Sequence, residues 1–190
     1  MGYDGTSSRR DSDDNALGGS KILDCTKCDL HRYRKNIVPG EGPIPCDIMF
    51  IGEAPGRYED VQGRPFVGLA GTVLTSLLND CGIKRSDIYI TNVVKCRPPN
   101  NRKPTYPEQQ ACREHWEREV EEVKPQKILA LGQTAAMVLK GSRYPPLFGR
   151  MFKYDNIPVW PVYHPAYIAY RPSRYDDVLK IYKKALEVSK

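Results

Sequence analysis

Four of the six cysteines in this chain have a spacing that suits a metal centre. Cys25 and Cys28 form a C-x-x-C pair, whereas Cys96 and Cys112 follow singly, much further along the chain. A C-x-x-C segment places two thiolates on one tight turn, and four sulfur ligands suit either a [4Fe–4S] cluster or a tetrahedral zinc site. The wide interval between Cys96 and Cys112 favours iron–sulfur, because structural zinc sites usually take their second pair of ligands from another close turn. Ordinary buried cysteines are the alternative.

A second group of candidate residues follows the ends of apolar runs. Glu53 lies in a glycine- and proline-rich segment, 52–56, directly after one run; Asn92 lies in a second run, and His164 follows another. Phe66 lies between two glycines shortly after the first of these segments. Each motif alone has an ordinary structural explanation as a turn or a packed side chain. Together they predict a site in which a carboxylate, an aromatic ring, an amide and an imidazole converge.

Alternating strands and helices are predicted to position these residues. Apolar runs predict strands near 47–52, 88–94, 127–131 and 157–163. Helical patterns lie near 71–82, 107–123 and 133–139, and a last helix begins near Asp176. This alternation implies right-handed crossovers and a parallel sheet covered by helices on both faces, so the fold class is α/β. Functional residues of such folds gather at the carboxyl ends of the strands.

Length and composition fit one domain. The chain has 190 residues, of which 40% are hydrophobic, and can bury a sizeable core. Residues 1–20 are rich in Gly, Ser and Asp, which predicts a disordered tail before a globular domain at 21–190. No apolar run reaches the roughly 20 residues of a membrane span, and no secretory segment is found at the N-terminus. We therefore expect a cytoplasmic protein with no membrane partner, in which reduced cysteines favour metal binding over disulfides.

Basic residues cluster around Cys96. Lys95, Arg97, Arg102 and Lys103 lie in one short segment, and the net charge of the chain is +6. Contacts from such residues to phosphates give salt-dependent binding without sequence preference, so the cluster predicts a nucleic-acid partner. A solvated basic loop is the alternative.

Long runs of the sequence resemble the family 4 uracil-DNA glycosylases, the iron–sulfur branch of the uracil-DNA glycosylase superfamily. The resemblance covers residues 22–190 and rests on several motifs at matching intervals, namely Cys25-x-x-Cys28, 52–56, 63–68, 91–102, Cys112, 131–132 and 164–167. It implies a three-layer α/β/α sandwich around a four-stranded parallel sheet. It also implies a structural [4Fe–4S] cluster held by the four cysteines.

The resemblance implies a DNA repair enzyme. Such an enzyme flips uracil out of double- or single-stranded DNA and hydrolyses its N-glycosidic bond, which leaves an abasic site. We expect a monomer, with replication or repair proteins as candidate partners.

The resemblance further implies roles for the candidate site residues. Phe66 resembles the platform that stacks on the extruded uracil. Asn92 resembles the residue that accepts from uracil N3–H and donates to O4, a polarity that cytosine does not match. His164 resembles the donor to uracil O2, where charge accumulates as the bond breaks. Glu53 is expected to orient the attacking water or to stabilise the sugar cation.

Three further residues complete the implied substrate site. Glu59 resembles the residue that crowds uracil C5 and so excludes the methyl group of thymine. Gly52 and Ala54 belong to the substrate-binding loop, and other superfamily members carry an aspartate where this chain has Ala54.

The segment after His164 is expected to enter the duplex as the base leaves. Here Tyr170 lies where an arginine is often found, and Arg171 follows it. Both are predicted to contact DNA, and either Tyr170 or Ile168 is the candidate wedge.

Two functions of other classes remain as alternatives. The first is an inactive or weakly active iron–sulfur DNA-binding module of the same fold, but retention of Glu53, Phe66, Asn92 and His164 argues against it. The second is a branch that traps DNA covalently through a histidine in an inserted loop, yet residues 95–107 contain no histidine and no insertion. Single-strand-selective and hypoxanthine-preferring branches differ only in the detail of the pocket.

Overall fold

A five-stranded sheet runs through the part of the chain that the computed structural model describes, which is Ile22 and residues 24–187. Its strands are β1 (Ile48–Gly52), β2 (Tyr89–Asn92), β3 (Lys127–Leu131), β4 (Phe152–Tyr154) and β5 (Ile157–Val162), in the order β2-β1-β3-β5-β4. The predicted tail at 1–20 lies outside the described residues, and the domain boundary at residue 21 stays a prediction.

The four predicted strands are parallel to one another, as expected. The predicted strand count was wrong, because β4 adds a fifth strand antiparallel to β5 at the sheet edge. A tight turn joins these two strands through Asp155 and Asn156, both with positive φ. Such turns favour Asn and Asp. A strand of three residues is too short for its alternation to be recognised in the sequence.

The helices of the described residues cover both faces of the sheet. They are α1 (Arg57–Gln62), α2 (Leu69–Asp80), α3 (Tyr106–Ala111), α4 (Arg113–Val123), α5 (Gly132–Lys140), α6 (Pro165–Ala169) and α7 (Tyr175–Glu187). The helix predicted at 107–123 is in fact two helices that meet at Cys112, so this cysteine lies at a break in the chain path. Within the described residues, no helix has the length and apolarity needed to cross a membrane.

Successive side chains of a strand point alternately into two hydrophobic cores. Phe50 of β1 packs in one cluster with Leu74 of α2 and Tyr182 of α7, whereas Met49 packs in the other with Trp116 of α4. Burial on both faces is typical of a parallel sheet between helical layers. The α/β/α sandwich is therefore confirmed, and its rigid sheet fixes the strand ends that carry the candidate site residues.

Candidate active site

The carboxyl ends of the strands open into a cavity of about 570 Å³. The structure brings six of the seven predicted catalytic and substrate-binding residues together in its lining: Glu53, Ala54, Glu59, Phe66, Asn92 and His164. The cavity therefore combines acidic, amide, aromatic and imidazole side chains, as the sequence analysis expected.

The position of Phe66 is fixed by its backbone and by two glycines. Phe66 has a φ of 53°, a left-handed conformation that is uncommon outside glycine and that occurs often at functional sites. A Cβ on Gly71 would lie 1.8 Å from the Phe66 carbonyl oxygen, and a Cβ on Gly52 would lie 2.7 Å from Cζ of its ring. Gly52, which was predicted to belong to the substrate-binding loop, thus allows the Phe66 ring to lie directly against the end of β1.

Glu59 ties the two loops of the site together. Its Oε1 accepts hydrogen bonds from the backbone N–H of Val67 (2.9 Å) and Gly68 (2.8 Å), and its Oε2 accepts one from Gly56 N–H at 3.1 Å. This buried carboxylate therefore holds the Phe66 segment against the loop after β1. Its proposed contact with uracil C5 stays a prediction.

Asn92 presents an unpaired acceptor at the cavity. The residue is only 1% exposed, and its Oδ1 has no hydrogen-bond partner among the described residues. Buried polar atoms are nearly always paired, so an orphaned side-chain oxygen needs an explanation. Because Asn92 lines the cavity, a ligand that donates an N–H to this oxygen would provide one.

His164 is held as a neutral donor. Its Nδ1 accepts a hydrogen bond from Ala166 N–H at 3.2 Å, so the proton of the neutral ring resides on Nε2. Burial lowers the pKa of His164 to about 4, although the nearby Glu59 carboxylate raises it. The imidazole lies 5.7 Å from the Phe66 ring, centroid to centroid. A neutral N–H donor therefore stands beside the aromatic ring.

Glu53 lies in the loop after β1 and lines the same cavity. Its backbone carbonyl accepts a hydrogen bond from Val94 N–H at 3.2 Å, which joins this loop to the segment after β2. A carboxylate here can orient water or stabilise a cation in the cavity. Ala54, the next residue, also lines the cavity and contributes no ionisable group.

The prediction that Lys95 contacts DNA was wrong. Lys95 is 1% exposed, and its ammonium group pairs with Oε2 of Glu119 at 2.5 Å and also contacts the Thr91 hydroxyl. A charge at this depth requires a partner, and Glu119 supplies it. The side chain thus joins β2 to α4 and cannot reach a phosphate.

The other predicted DNA-binding residues lie nearer the surface. Arg97 donates to Asn101 Oδ1 at 2.7 Å. Arg102 lines the cavity and forms a bidentate pair with Glu108, at 2.8 and 2.6 Å, which lowers the pKa of Glu108 to about 2. Tyr170 is 84% exposed at the cavity rim, and Arg171 is exposed beside it.

The four predicted cysteines line a second, smaller cavity. Three of their sulfurs contact nitrogen atoms: Cys25 with His115 Nε2 at 3.3 Å, Cys96 with Arg34 Nη1 at 3.4 Å, and Cys112 with Lys95 N at 3.3 Å. Burial raises the pKa values of Cys28 and Cys96, and that of Cys112 to about 12.

The four cysteine sulfurs of this cavity are a donor set that suits a metal centre, either an iron–sulfur cluster or a single ion. Among the described residues, no group of three His, Cys, Asp or Glu side chains is placed to hold one metal ion. A cluster of four irons holds its cysteine sulfurs further apart. N–H donors directed at ligand sulfurs are usual around such clusters.

Sequence reasoning missed the aromatic side of the cavity. Phe148, Tyr163 and Tyr167 line it. Tyr163 and Tyr167 flank His164 in the sequence, and this closeness could have drawn attention to them. Phe148 lies in an irregular segment before β4 and gives no such signal.

Comparisons with known proteins agree on one family. A family model described as the uracil DNA glycosylase superfamily matches residues 39–187. The chain is 41% identical over 178 residues to a type-4 uracil-DNA glycosylase of Archaeoglobus fulgidus, covering 88% of this chain and 89% of the relative. Proteins of the same description are 43% identical in Saccharolobus solfataricus, over 82% of this chain and 77% of the relative, and 42% identical in Thermotoga maritima, over 90% of each.

Proposed function

The chain belongs to the uracil DNA glycosylase superfamily, and from this membership we propose that it is a DNA repair enzyme that removes uracil from DNA. The base leaves the helix, enters the cavity and is released by hydrolysis of its N-glycosidic bond, so that an abasic site remains. The observation that carries the proposal is the unpaired Oδ1 of Asn92 beside the Phe66 ring and the neutral His164.

Base recognition follows from the amide of Asn92. Uracil presents an N–H donor at N3 and an acceptor at O4, which match the oxygen and the amino group of the amide. Cytosine has the opposite polarity at these positions and would leave buried polar groups unpaired. Phe66 supplies a flat apolar surface for one face of the base. The pair therefore selects a pyrimidine with the hydrogen-bonding pattern of uracil.

His164 is the residue that assists departure of the base. As the bond between C1′ and N1 stretches, negative charge moves onto the uracil, including its O2. The Nε2–H of a neutral imidazole can donate to that oxygen and stabilise the charge. A neutral donor suits this role because burial lowers the pKa of His164 to about 4, so the imidazole stays neutral near pH 7.

Hydrolysis requires water at the sugar. Glu53 is the candidate that orients this water or stabilises the cationic sugar, because Glu53 lines the cavity while the carboxylate of Glu59 is occupied by three backbone N–H groups. Glu59 would then act on C5 only through the shape of the loop that it holds.

The cofactor proposed for the second cavity is a [4Fe–4S] cluster. Cys25, Cys28, Cys96 and Cys112 would hold it, and its role would be structural. It would join the segment that contains Cys25 and Cys28 to the start of α4 and to the loop that follows β2. In this way the cluster would fix the half-buried Arg97 and the rest of that loop for contact with the phosphate backbone.

A panel of DNA substrates tests the proposed function. Purified protein is incubated with duplexes and single strands that contain uracil, hypoxanthine or only normal bases, and abasic products are cleaved with alkali. We expect cleavage of the uracil strands alone. A His164→Ala preparation, purified identically, controls for contaminating enzymes. Release of cytosine from the strands with only normal bases would contradict the proposed role of Asn92, because cytosine has the opposite hydrogen-bonding polarity. Failure to release any base would contradict the function.

A further inference from the structure

The cavity continues beyond Phe66 and His164 to a second aromatic surface, here called the aromatic wall and made of Phe148, Tyr163 and Tyr167. The ring centroids of Phe148 and Tyr163 are 4.2 Å apart, and those of Tyr163 and Tyr167 are 4.8 Å apart with near-parallel planes. All three side chains line the cavity. The wall is therefore a row of three rings, of which Tyr163 and Tyr167 are stacked and Phe148 is tilted against Tyr163, in the same cavity as the proposed uracil site.

The aromatic wall and the uracil site form different sides of the cavity. Tyr163 and His164 are consecutive residues directly after β5, where the backbone of His164 is still extended, and side chains of consecutive residues in extended chain point in opposite directions. A cavity of about 570 Å³ lies within the range of sites that enclose drug-sized ligands. One pyrimidine between Phe66, Asn92 and His164 would leave the side with the aromatic wall open.

The guanidinium group of Arg171 lies beside the aromatic wall. The guanidinium of Arg171 lies 5.1 Å from the centroid of the Tyr167 ring, and its Nη1 donates to the Tyr167 hydroxyl at 3.4 Å. Arg171 is exposed, so this contact is not fixed by packing. A phosphate would offer the guanidinium a charge-assisted hydrogen bond, which is stronger than a contact with a neutral ring. Arg171 can thus leave the face of Tyr167 when DNA is present.

Stacked aromatic rings beside arginine are the means by which proteins hold unpaired nucleotides. We propose that the aromatic wall is a second base site, which takes the nucleobase adjacent to the flipped uracil on the same strand. The base stacks on Tyr167, and Arg171 moves from that ring to the neighbouring phosphate. The inference rests on the proposed function and deepens it, because it specifies an unpaired dinucleotide step as the unit that is bound.

The substrate class follows from the cost of unstacking. In a duplex the neighbouring base stays paired and stacked, and its removal costs a few kcal/mol. In a single strand it is already free. The second base site is therefore filled in single-stranded or locally opened DNA, and its contribution to affinity is largest there.

A cycle of protein and DNA changes tests the second base site. The probes are single strands in which the target deoxyuridine carries fluorine at C2′, which withdraws electrons and slows departure of the base. The neighbour on the 5′ or the 3′ side is either a normal nucleotide or an abasic analogue. Affinities are measured for the unmodified protein, Tyr167→Leu, Tyr167→Phe and Tyr144→Leu. Tyr144 is the matched control, because it is an exposed tyrosine that is absent from the cavity lining.

We expect loss of the neighbouring base on one side to weaken binding by about fivefold or more in the unmodified protein, Tyr167→Phe and Tyr144→Leu. In Tyr167→Leu the same loss should have almost no effect, because the ring that stacks on the base is already gone. Leucine keeps the apolar packing of Tyr167, and thermal melting verifies that the variant folds. Equal losses in all four proteins, or no loss on either side, would overturn the inference.

Failure of this inference is distinguishable from failure of the proposed function. The cycle measures affinity and requires no release of uracil, whereas the substrate panel measures release alone. Uracil release with equal losses across the cycle leaves the glycosylase proposal intact and removes the second base site. If removal of the neighbouring base weakens binding only in proteins that keep the ring of residue 167, and no uracil is released, the second base site is supported and the glycosylase proposal is contradicted.

Discussion

A Cβ atom on Gly52 would lie 2.5 Å from Oδ1 of Asn92, a separation that real Cβ atoms essentially never show. The two residues are direct partners in the parallel register of β1 and β2. The amide of Asn92 therefore packs against bare backbone, and the same glycine also leaves room for the Phe66 ring. The position of the proposed base-recognising residues is thus built into the pairing of two central strands.

We predict that Gly52→Ala lowers uracil release by about 10- to 100-fold, because the added methyl group would displace the amide and the ring, and small displacements at a reacting site have effects of this size. The measurement is the single-turnover rate with a uracil-containing strand. Gly82→Ala is the control for backbone strain alone, since a Cβ there would contact nothing within 4 Å although Gly82 has a φ of 73°; it should lower stability and leave the rate of the folded protein unchanged. An unchanged rate in Gly52→Ala would show that this close packing does not position the site.

The pH dependence of stability should report the half-buried His164. Burial lowers its pKa from 6.5 to about 4 in the folded protein, so between these values the unfolded chain binds a proton that the folded protein does not. The stability that depends on the neutral imidazole is therefore present above pH 6.5 and is lost as the pH falls towards 4. We predict that urea unfolding shows a larger loss of stability from pH 7 to pH 5 for the unmodified protein than for His164→Gln. Parallel losses would contradict the assigned pKa.

The fold and most of the pocket followed from sequence because each rests on a local pattern. Apolar runs marked the four parallel strands, and the residues that end them had to meet at one edge of the sheet. The burial of Lys95 could not be predicted in this way, because its partner Glu119 lies far along the chain in α4. The same reason applies to Phe148, which reaches the cavity only through tertiary packing.

Substitution of the buried Lys95 and of Arg97 should have different effects on stability and on DNA binding. Lys95→Met should destabilise the protein by about 3–5 kcal/mol, because it leaves the Glu119 carboxylate buried without its partner. Arg97→Ala should leave stability nearly unchanged and reduce the slope of log affinity against log salt concentration by about 1. Urea unfolding and binding titrations at several salt concentrations measure both effects. A stable Lys95→Met protein with a reduced salt slope would restore the surface role for Lys95.

The cysteine cavity should contain iron. Protein purified without oxygen is expected to be yellow-brown, with a broad absorbance near about 400 nm from charge transfer between thiolate and iron. Cys96→Ser should lose this colour and melt at a lower temperature. Cys81→Ser should keep both, because Cys81 packs against a hydrophobic core and is absent from the lining of this cavity. A colourless protein with stoichiometric zinc would contradict the cluster.

The most direct test of the central claim is the effect of His164→Ala on rate and on binding, measured separately. A donor to uracil O2 acts mainly as the glycosidic bond breaks, so its loss should lower the rate more than the affinity. We predict that single-turnover release of uracil falls by about 100-fold or more, equivalent to about 3 kcal/mol, while affinity for the same duplex changes by less than about tenfold. Weaker binding with an unchanged rate in the bound complex would contradict the assignment of His164 as the donor to the departing base.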